Sequence, residues 1–169
     1  MILRRVFFYI FLLAKCKHIC YHSNMRVVLD TCVIFQALYS QSGASHAILQ
    51  MVRNGDLQMV ISTPVFVEYC DVCLRKSSLE LFELTEEDVW DVLNFIAYIS
   101  VKIDIKYLLR PNLQDEGDNL IMELAFASDS RYLITKNVRD FTCNSDLHFD
   151  GVTVITPADF MQKVIRGNK

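Results

Sequence analysis

Short apolar runs alternate with amphipathic segments along residues 25–169 of this chain. The runs are rich in Val, Ile and Leu, and they lie at residues 26–30, 57–63, 101–105, 131–135 and 151–156. Apolar character over so few residues, as in the stretch "RVVLD", is typical of strands that are covered on both faces. The pattern therefore predicts a buried, mainly parallel sheet.

Segments with helical spacing connect these runs. They begin near Ser45, Pro64, Glu86, Asn119 and Pro157. Thr63 before Pro64 predicts an N-cap followed by the first helical position, Thr85 with Asp88 predicts a capping box, and Gly55 predicts a helix end. Residues 136–150 are predicted to form a loop. Strands that alternate with helices predict an α/β fold, a three-layer α/β/α sandwich with a mainly parallel central sheet.

Length and charge limit the classes of protein to consider. A chain of 169 residues with 52% hydrophobic residues is long enough for one well-buried domain. The formal net charge is −3, and residues 1–24 contain basic residues but no acid, so residues 25–169 are more acidic still. No global positive charge marks the chain as a nucleic-acid binder.

Residues 1–24 precede the predicted domain at residues 25–169 and differ from it in character. An apolar run from Val6 to Ala14 follows two arginines, as in a signal peptide, but no small-residue cleavage site follows it. The run is also far shorter than the ~20 residues that span a bilayer, so we expect no stable membrane insertion. A mis-assigned start, with the chain beginning at Met25, is the preferred interpretation; a signal-like or anchor-like segment is the alternative.

Six cysteines allow two interpretations. Cys70 and Cys73 could bind zinc together with ligands from the N-terminal cluster Cys16, His18, Cys20 and His22. Alternatively, Cys70 and Cys73 are small residues on one helix. The spacing lacks the turn of a zinc knuckle, which favours a reduced, cytoplasmic protein.

Four acidic residues follow predicted strands at the ends where ligands bind in parallel sheets. Asp30 ends the first strand, Glu68 lies one helical turn after the second, Asp118 opens the helix before the fourth, and Asp140 follows the fourth. Asp118 shares a helical face with Met122 and Ala125, so its carboxylate points towards the core. Carboxylates gathered in this way repel one another unless a cation binds. The pattern thus predicts a site for Mg²⁺ or Mn²⁺, which prefer oxygen ligands.

Each acid also has a purely structural interpretation. Asp30 could cap the following helix, Glu68 could face solvent, and Asp118 could favour the helix N-terminus electrostatically. Asp140 could be an ordinary solvated loop residue. The hypothesis of a site rests on the four acids together.

The stretches "VVLDTCVI", "ISTPVFVEYCDVCLR", "LQDEGDNLIMELAFASDSRYLITKNVRDF" and "GVTVITPADF" resemble, in order and spacing, the motifs of PIN-domain ribonucleases. The VapC-like toxins of toxin–antitoxin systems are the most similar group. The resemblance covers Met25 to about Val164. It implies that catalytic and metal-binding roles fall on Asp30, Glu68, Asp118 and Asp140, with Thr31, Asp115 and Asn137 in support.

Two positions depart from the pattern of that family. Many members have Asn where this chain has Cys32, and often Asp where it has Asn137. Asp140 is therefore favoured over Asn137 as the fourth acid.

The resemblance implies an endoribonuclease that uses one or two Mg²⁺ or Mn²⁺ ions to hydrolyse phosphodiester bonds in RNA. It also implies a cognate antitoxin as a protein partner, and a homodimer. Among the basic residues, Lys136, Arg139 and Arg110 could contact RNA phosphates, although each could equally be ordinary solvated surface.

Two rival functions were considered. A haloacid-dehalogenase-type phosphatase also places an Asp at the end of its first strand, but it needs a second Asp where this chain has Cys32. The other rival is a catalytically impaired PIN-fold module that binds RNA or a protein partner. Cys32 and Asn137 are the residues that favour this alternative.

Overall fold

The central sheet of this computed structural model contains five parallel strands, and the structure describes residues 25–106, 108, 113, 115–142 and 151–167. The strands are β1 (Arg26–Leu29), β2 (Gln58–Ile61), β3 (Val101–Lys102), β4 (Tyr132–Ile134) and β5 (Thr153–Ile155). Their order in the sheet is β3-β2-β1-β4-β5, and every pairing is parallel. β1 is therefore the middle strand, with a neighbour on each side.

Eight helices accompany the strands in the described part of the chain. They are α1 (Thr31–Tyr39), α2 (Ala44–Asn54), α3 (Thr63–Cys73), α4 (Lys76–Phe82), α5 (Glu86–Ile99), α6 (Glu116–Ala127), α7 (Val138–Thr142) and α8 (Pro157–Gly167). α1 packs against α2 and α3, α2 packs against α8, and α6 packs against β1 and β4. The predicted three-layer α/β/α fold is confirmed, and its sheet is wholly parallel as far as it is described.

The middle strands form the core of the domain. Val27, Val28 and Leu29 of β1 and Leu133 and Ile134 of β4 are fully buried. Burial of such a side chain stabilises a fold by about 1.5–3 kcal/mol relative to leaving it exposed. A continuous apolar strand is stable only where helices cover both faces of the sheet, which explains the sequence of β1.

Local signals predicted several helix ends correctly. Gly55 ends α2 at φ 81°, a left-handed conformation that glycine adopts without strain. Thr85 accepts a hydrogen bond from the Asp88 amide, and Asp88 accepts one from the Thr85 amide, which completes the predicted capping box of α5.

Three local features differ from the sequence-based expectations. The N-cap of α3 is Ser62 rather than Thr63, so Pro64 lies within the first turn. Two helices, α1 and α4, had not been assigned. The polar stretch predicted as a loop contains the short helix α7, whose Phe141 is buried against the domain. A single buried aromatic residue stabilises this turn, and one residue provides no periodic signal in the sequence.

The described residues also bear on the predictions about membrane insertion and about the cysteines. No helix in residues 25–106, 115–142 or 151–167 has the length and apolar character needed to cross a membrane. Cys32, Cys70 and Cys73 are free thiols. The residues of the alternative zinc site that precede Met25 lie outside the described residues, as does the whole of the predicted leader at residues 1–24.

Candidate active site

The parallel pairing of β1 and β4 brings Asp30 next to Thr135. Leu29 pairs with Ile134, so the next residue of each strand lies at the same level of the sheet edge. The Asp30 amide donates to the Ile134 carbonyl at 3.0 Å, and the buried Thr135 hydroxyl donates to Asp30 Oδ2 at 2.5 Å. Asp30 also caps α1, since its side chain accepts a hydrogen bond from the Cys32 amide. The Asp30 carboxylate is thus held from two sides.

Glu68 reaches the same edge from α3. The Thr31 hydroxyl donates to Glu68 Oε1 at 2.7 Å, whereas Oε2 is buried and has no hydrogen-bond partner within the described structure. Burial raises the pKa of Glu68; the Thr31 hydrogen bond opposes this, and repulsion from Asp30 and Asp115 adds to it. A buried carboxylate oxygen without a donor is costly, and a cation would relieve that cost.

The Tyr69 hydroxyl donates to the Leu29 carbonyl and attaches α3 to the end of β1. Tyr69 is fully buried. Burial, together with the nearby Asp30 and Glu68 carboxylates, raises its pKa well above the usual value, so the phenol remains a neutral donor. This contact fixes the distance between β1, which Asp30 follows, and α3, which carries Glu68.

The start of α6 contributes Asp115 and Asp118. Asp115 is the N-cap of this helix, and its Oδ1 accepts a hydrogen bond from the Gly117 amide at 2.7 Å. The side-chain amide of the buried Asn119 accepts a hydrogen bond from the Leu113 backbone amide. It donates to the backbone carbonyls of Leu113 and Asp115. These contacts hold the turn in place before the helix begins, and they direct the half-buried Asp118 towards the other acids.

Asp118 has the clearest electrostatic signature of the group. Burial is the largest cause, followed by the carboxylates of Asp30, Asp115, Asp140 and Glu68 in that order, and together they raise its pKa from 3.8 to about 6. Asp118 therefore lies within electrostatic range of all four acids. Cooperative repulsion of this kind is typical of functional sites.

Asp140 and Asn137 belong to the segment after β4. Both are exposed, and the Asp140 amide donates to the Asn137 carbonyl at the start of α7. The Asn137 amide donates to the Thr135 hydroxyl at 3.0 Å, so Asn137 supports the cluster through its main chain. Thr135 consequently links this segment to Asp30.

The structure describes two of the three residues that were predicted to contact RNA. Lys136 and Arg139 are exposed beside the acids, and the Lys136 ammonium donates to Gln36 Oε1 at 3.2 Å. Arg110 lies outside the described residues.

Two members of the cluster were missed or undervalued in the sequence. Thr135 follows β4 directly, as Asp30 follows β1, so a parallel register between these strands was the signal that would have found it. Cys32 donates its thiol to Asp30 Oδ2 at 3.0 Å. Burial and the Asp30 carboxylate raise the pKa of this thiol to about 12, so it remains protonated at neutral pH.

The donor atoms of the cluster suit a hard divalent cation. Asp30, Glu68, Asp115, Asp118 and Asp140 supply carboxylate oxygens, which are the ligands that Mg²⁺ and Mn²⁺ prefer. In the part of the chain that the structure describes, no three His, Cys, Asp or Glu side chains already stand in ligand geometry around one point. Mg²⁺ commonly retains several waters, so some of these carboxylates would hold it through water.

The fold and this cluster define a class: an open α/β protein with a group of acids outside the carboxyl ends of its parallel strands. This group, which we name the acidic cleft, consists of Asp30, Glu68, Asp115, Asp118 and Asp140. Residues 26–139 match the family model of the PIN domain. The chain belongs to the PIN domain family, whose members are generally nucleases.

Structural comparison agrees with this assignment. A chain in the crystal structure of VapBC2 from Rickettsia felis, bound to a DNA fragment from their promoter, has 16% sequence identity and a TM-score of 0.53. The alignment covers 78% of the present chain and 98% of the matched chain, and it shows a shared fold. A comparison with curated proteins found no match.

Proposed function

We propose that this protein is a metal-dependent endoribonuclease that hydrolyses phosphodiester bonds in RNA. The observation that carries the proposal is the acidic cleft, in which carboxylates from four separate elements lie within electrostatic range of one another among the described residues. Glu68 Oε2 has no hydrogen-bond partner among the described residues, and the pKa of Asp118 is raised, so positive charge would be stabilising at both places.

Asp30, Glu68, Asp118 and Asp140 would hold one or two Mg²⁺ or Mn²⁺ ions. Such an ion lowers the pKa of a bound water and stabilises the negative charge that develops on the scissile phosphate. The other residues of the site orient the ligands: Thr31 holds Glu68, and Thr135 holds Asp30.

The basic residues beside the cleft would position the substrate. Lys136 and Arg139 are exposed next to the acids and would contact phosphates on either side of the scissile bond. Contacts of this kind fix the register of an RNA chain without reading its sequence. The acidic body would otherwise repel RNA, so we expect substrate binding to depend on the metal ion.

A role as the toxin of a toxin–antitoxin pair is the more specific part of this proposal. It is supported by the motif resemblance to VapC-like toxins and by the fold shared with VapBC2 from Rickettsia felis. We infer a small antitoxin as protein partner, a homodimer, and a site of action in the cytoplasm where RNA is available.

The second candidate function is a PIN-fold module that binds RNA or a protein partner without cleavage. The observation that favours it is that Asp30 Oδ2 already receives hydrogen bonds from both the Cys32 thiol and the Thr135 hydroxyl. These donors reduce the charge that this oxygen offers to a cation.

The test compares the full-length protein with Asp118→Asn and with the control Asp91→Asn, which changes an exposed acid on α5. Each is incubated with a mixed RNA substrate in EDTA, Mg²⁺ or Mn²⁺. Cleavage that requires metal, persists in Asp91→Asn and falls by at least about a hundredfold in Asp118→Asn is the expected result. Folded protein that binds RNA but never cuts it would reject the nuclease in favour of the binding module.

The toxin role has its own test, which is growth of cells that express the protein. Expression of the wild type should arrest growth, and Asp118→Asn should not. Co-expression of a small protein encoded beside the gene should restore growth. Arrest that is equally strong with Asp118→Asn would show that the effect does not depend on the acidic cleft.

A further inference from the structure

Cys32 makes more contacts around Asp30 than any simple space-filling role requires. Its thiol donates to Asp30 Oδ2 at 3.0 Å, and its backbone amide approaches Asp30 Oδ1 at 3.4 Å. Its sulfur also accepts a hydrogen bond from the Lys136 amide at 3.3 Å. One half-buried side chain therefore connects the end of β1 with the segment that follows β4.

The two oxygens of Asp30 are consequently not equivalent. Among the described residues, Oδ2 accepts hydrogen bonds from both the Cys32 thiol and the Thr135 hydroxyl, whereas Oδ1 accepts only the long one from the Cys32 amide. This leaves Oδ1 as the oxygen that is free to bind a cation. Hydrogen bonds to an ionised carboxylate are stronger than neutral ones, so even a weak thiol donor restricts the rotation of this group.

The Lys136 contact extends the effect to the other side of the cleft. Lys136 precedes Asn137, and the short helix that carries Asp140 begins one residue later. A hydrogen bond from the Lys136 amide to sulfur, together with that from the Asn137 amide to Thr135, fixes the backbone of this segment. The Cys32 side chain thus links Asp30 to the segment that carries Asp140.

We propose that Cys32 is a positioning residue of the acidic cleft, which presents Asp30 Oδ1 to a divalent cation and couples Asp30 to the segment carrying Asp140. The part of this inference that concerns the cation rests on the proposed function. The coupling between the two segments is a property of the protein alone. Cys32 itself need not touch the metal ion or the substrate.

The experiment uses the full-length protein and three variants. Cys32→Ala removes the side-chain donor and acceptor, Cys32→Ser retains both in a side chain of similar size, and Cys70→Ala is the matched control. Cys70 is a half-buried thiol on α3 that makes no side-chain hydrogen bond to the cleft among the described contacts. Thermal unfolding in EDTA establishes that each variant is folded.

Two measurements then follow, and neither depends on RNA cleavage. Mn²⁺ binding to the RNA-free protein is measured by titration calorimetry, and exchange of the Lys136 amide hydrogen is measured by NMR without metal. Cys32→Ala should weaken Mn²⁺ binding by about tenfold or more, as expected for the loss of a group that orients a ligand. It should also speed exchange of the Lys136 amide by about tenfold, because that amide loses its acceptor.

Cys32→Ser should restore both values to within about threefold of the wild type, and Cys70→Ala should change neither. A merely structural effect would lower the melting temperature of Cys32→Ala and Cys32→Ser alike without this pattern of rescue. Wild-type Mn²⁺ affinity and unchanged Lys136 exchange in a folded Cys32→Ala variant would overturn the proposal.

The two proposals fail in different ways. If the wild type binds no divalent cation but Lys136 exchange still depends on Cys32, the metal-dependent nuclease is rejected and the coupling stands. If the wild type binds Mn²⁺ and Cys32→Ala binds it equally well, the role of Cys32 is rejected and the nuclease stands.

Discussion

At the residue scale, the ionisation of Asp118 is the property that depends most directly on the acidic cleft. Its carboxyl group is half-buried among four other acids, which disfavours the ionised form in the native protein. The unfolded chain has no such penalty. The ionisation of Asp118 therefore opposes folding unless a cation is bound.

The first prediction concerns Asp118→Asn in EDTA. Because the pKa of Asp118 is raised from 3.8 to about 6, native stability is lost as pH rises through this window and stays lower above it. The Asn variant avoids this loss. Allowing for solvent screening of a partly exposed group, we expect it to be more stable than the wild type by about 1 kcal/mol at pH 7.5, or roughly 2–4 °C.

Thermal unfolding at pH 4 and at pH 7.5 checks this prediction. The difference between Asp118→Asn and the wild type should shrink at pH 4, where the native Asp118 is protonated. Asp91→Asn should show no such dependence. A variant that is less stable than the wild type at pH 7.5 would contradict the expected repulsion.

The second prediction concerns Thr135, which is fully buried and bonds to both Asp30 and the Asn137 amide. Thr135→Val keeps the shape of the side chain but removes the hydrogen bonds that the hydroxyl makes with Asp30 and with the Asn137 amide. We expect a loss of about 1–3 kcal/mol in urea unfolding, and Thr135→Ser should retain most of the wild-type stability. Equal stability of the Val and Ser variants would show that the hydroxyl does not carry this interaction.

At the element scale, the first turn of α6 shapes the cleft because its backbone comes close to the acids. A Cβ added at Gly117 would lie 3.1 Å from Asp115 Oδ1 and 3.5 Å from both carboxylate oxygens of Glu68. The helix itself would accept an alanine at this position without strain. The lack of a side chain at Gly117 therefore leaves room for the nearby carboxylates and is not needed by the helix.

The third prediction follows from that geometry. Gly117→Ala should fold with a melting temperature equal to or above that of the wild type, yet it should cleave RNA about tenfold more slowly because the Asp115 carboxylate must shift away from the new Cβ. The control is Gly43→Ala at the N-cap of α2, where the new Cβ would only touch Ser40 at ordinary contact distance. Unchanged cleavage by Gly117→Ala would contradict the idea that the position of Asp115 matters for activity.

At the scale of the whole molecule, the described sheet, its helices and its core lie within residues 25–167. β1 begins at Arg26 and already lies between two neighbouring strands. The core that the structure describes draws on residues 25–161.

The fourth prediction is that a chain of residues 25–169 keeps the melting temperature and the metal-dependent cleavage of the full-length protein. The physical reason is that the strands, their helical cover and the acidic cleft all lie in this range. The two proteins are compared by thermal unfolding and by RNA cleavage in Mn²⁺. Aggregation or a lower melting temperature of the shorter chain would assign residues 1–24 a structural role.

The sequence by itself determined the class of fold and the order of the acids. Continuous apolar strands such as residues 26–29 are stable only between two layers of helices, and helix ends such as Gly55 and the Thr85–Asp88 capping box depend on neighbouring residues alone. Carboxylates that follow parallel strands must lie at one edge of the sheet. These features are local, so they can be read from the chain directly.

The tertiary structure decided which groups meet at that edge. Thr135 and Asp30 are 105 residues apart, and Lys136 and Cys32 are 104 residues apart, so their hydrogen bonds exist only because β4 pairs with β1 in one register. The burial of Glu68 Oε2 away from any donor of the described residues and the raised pKa of Asp118 also depend on how the helices pack. Strand order and register are set by long-range packing, and no local pattern of residues encodes them.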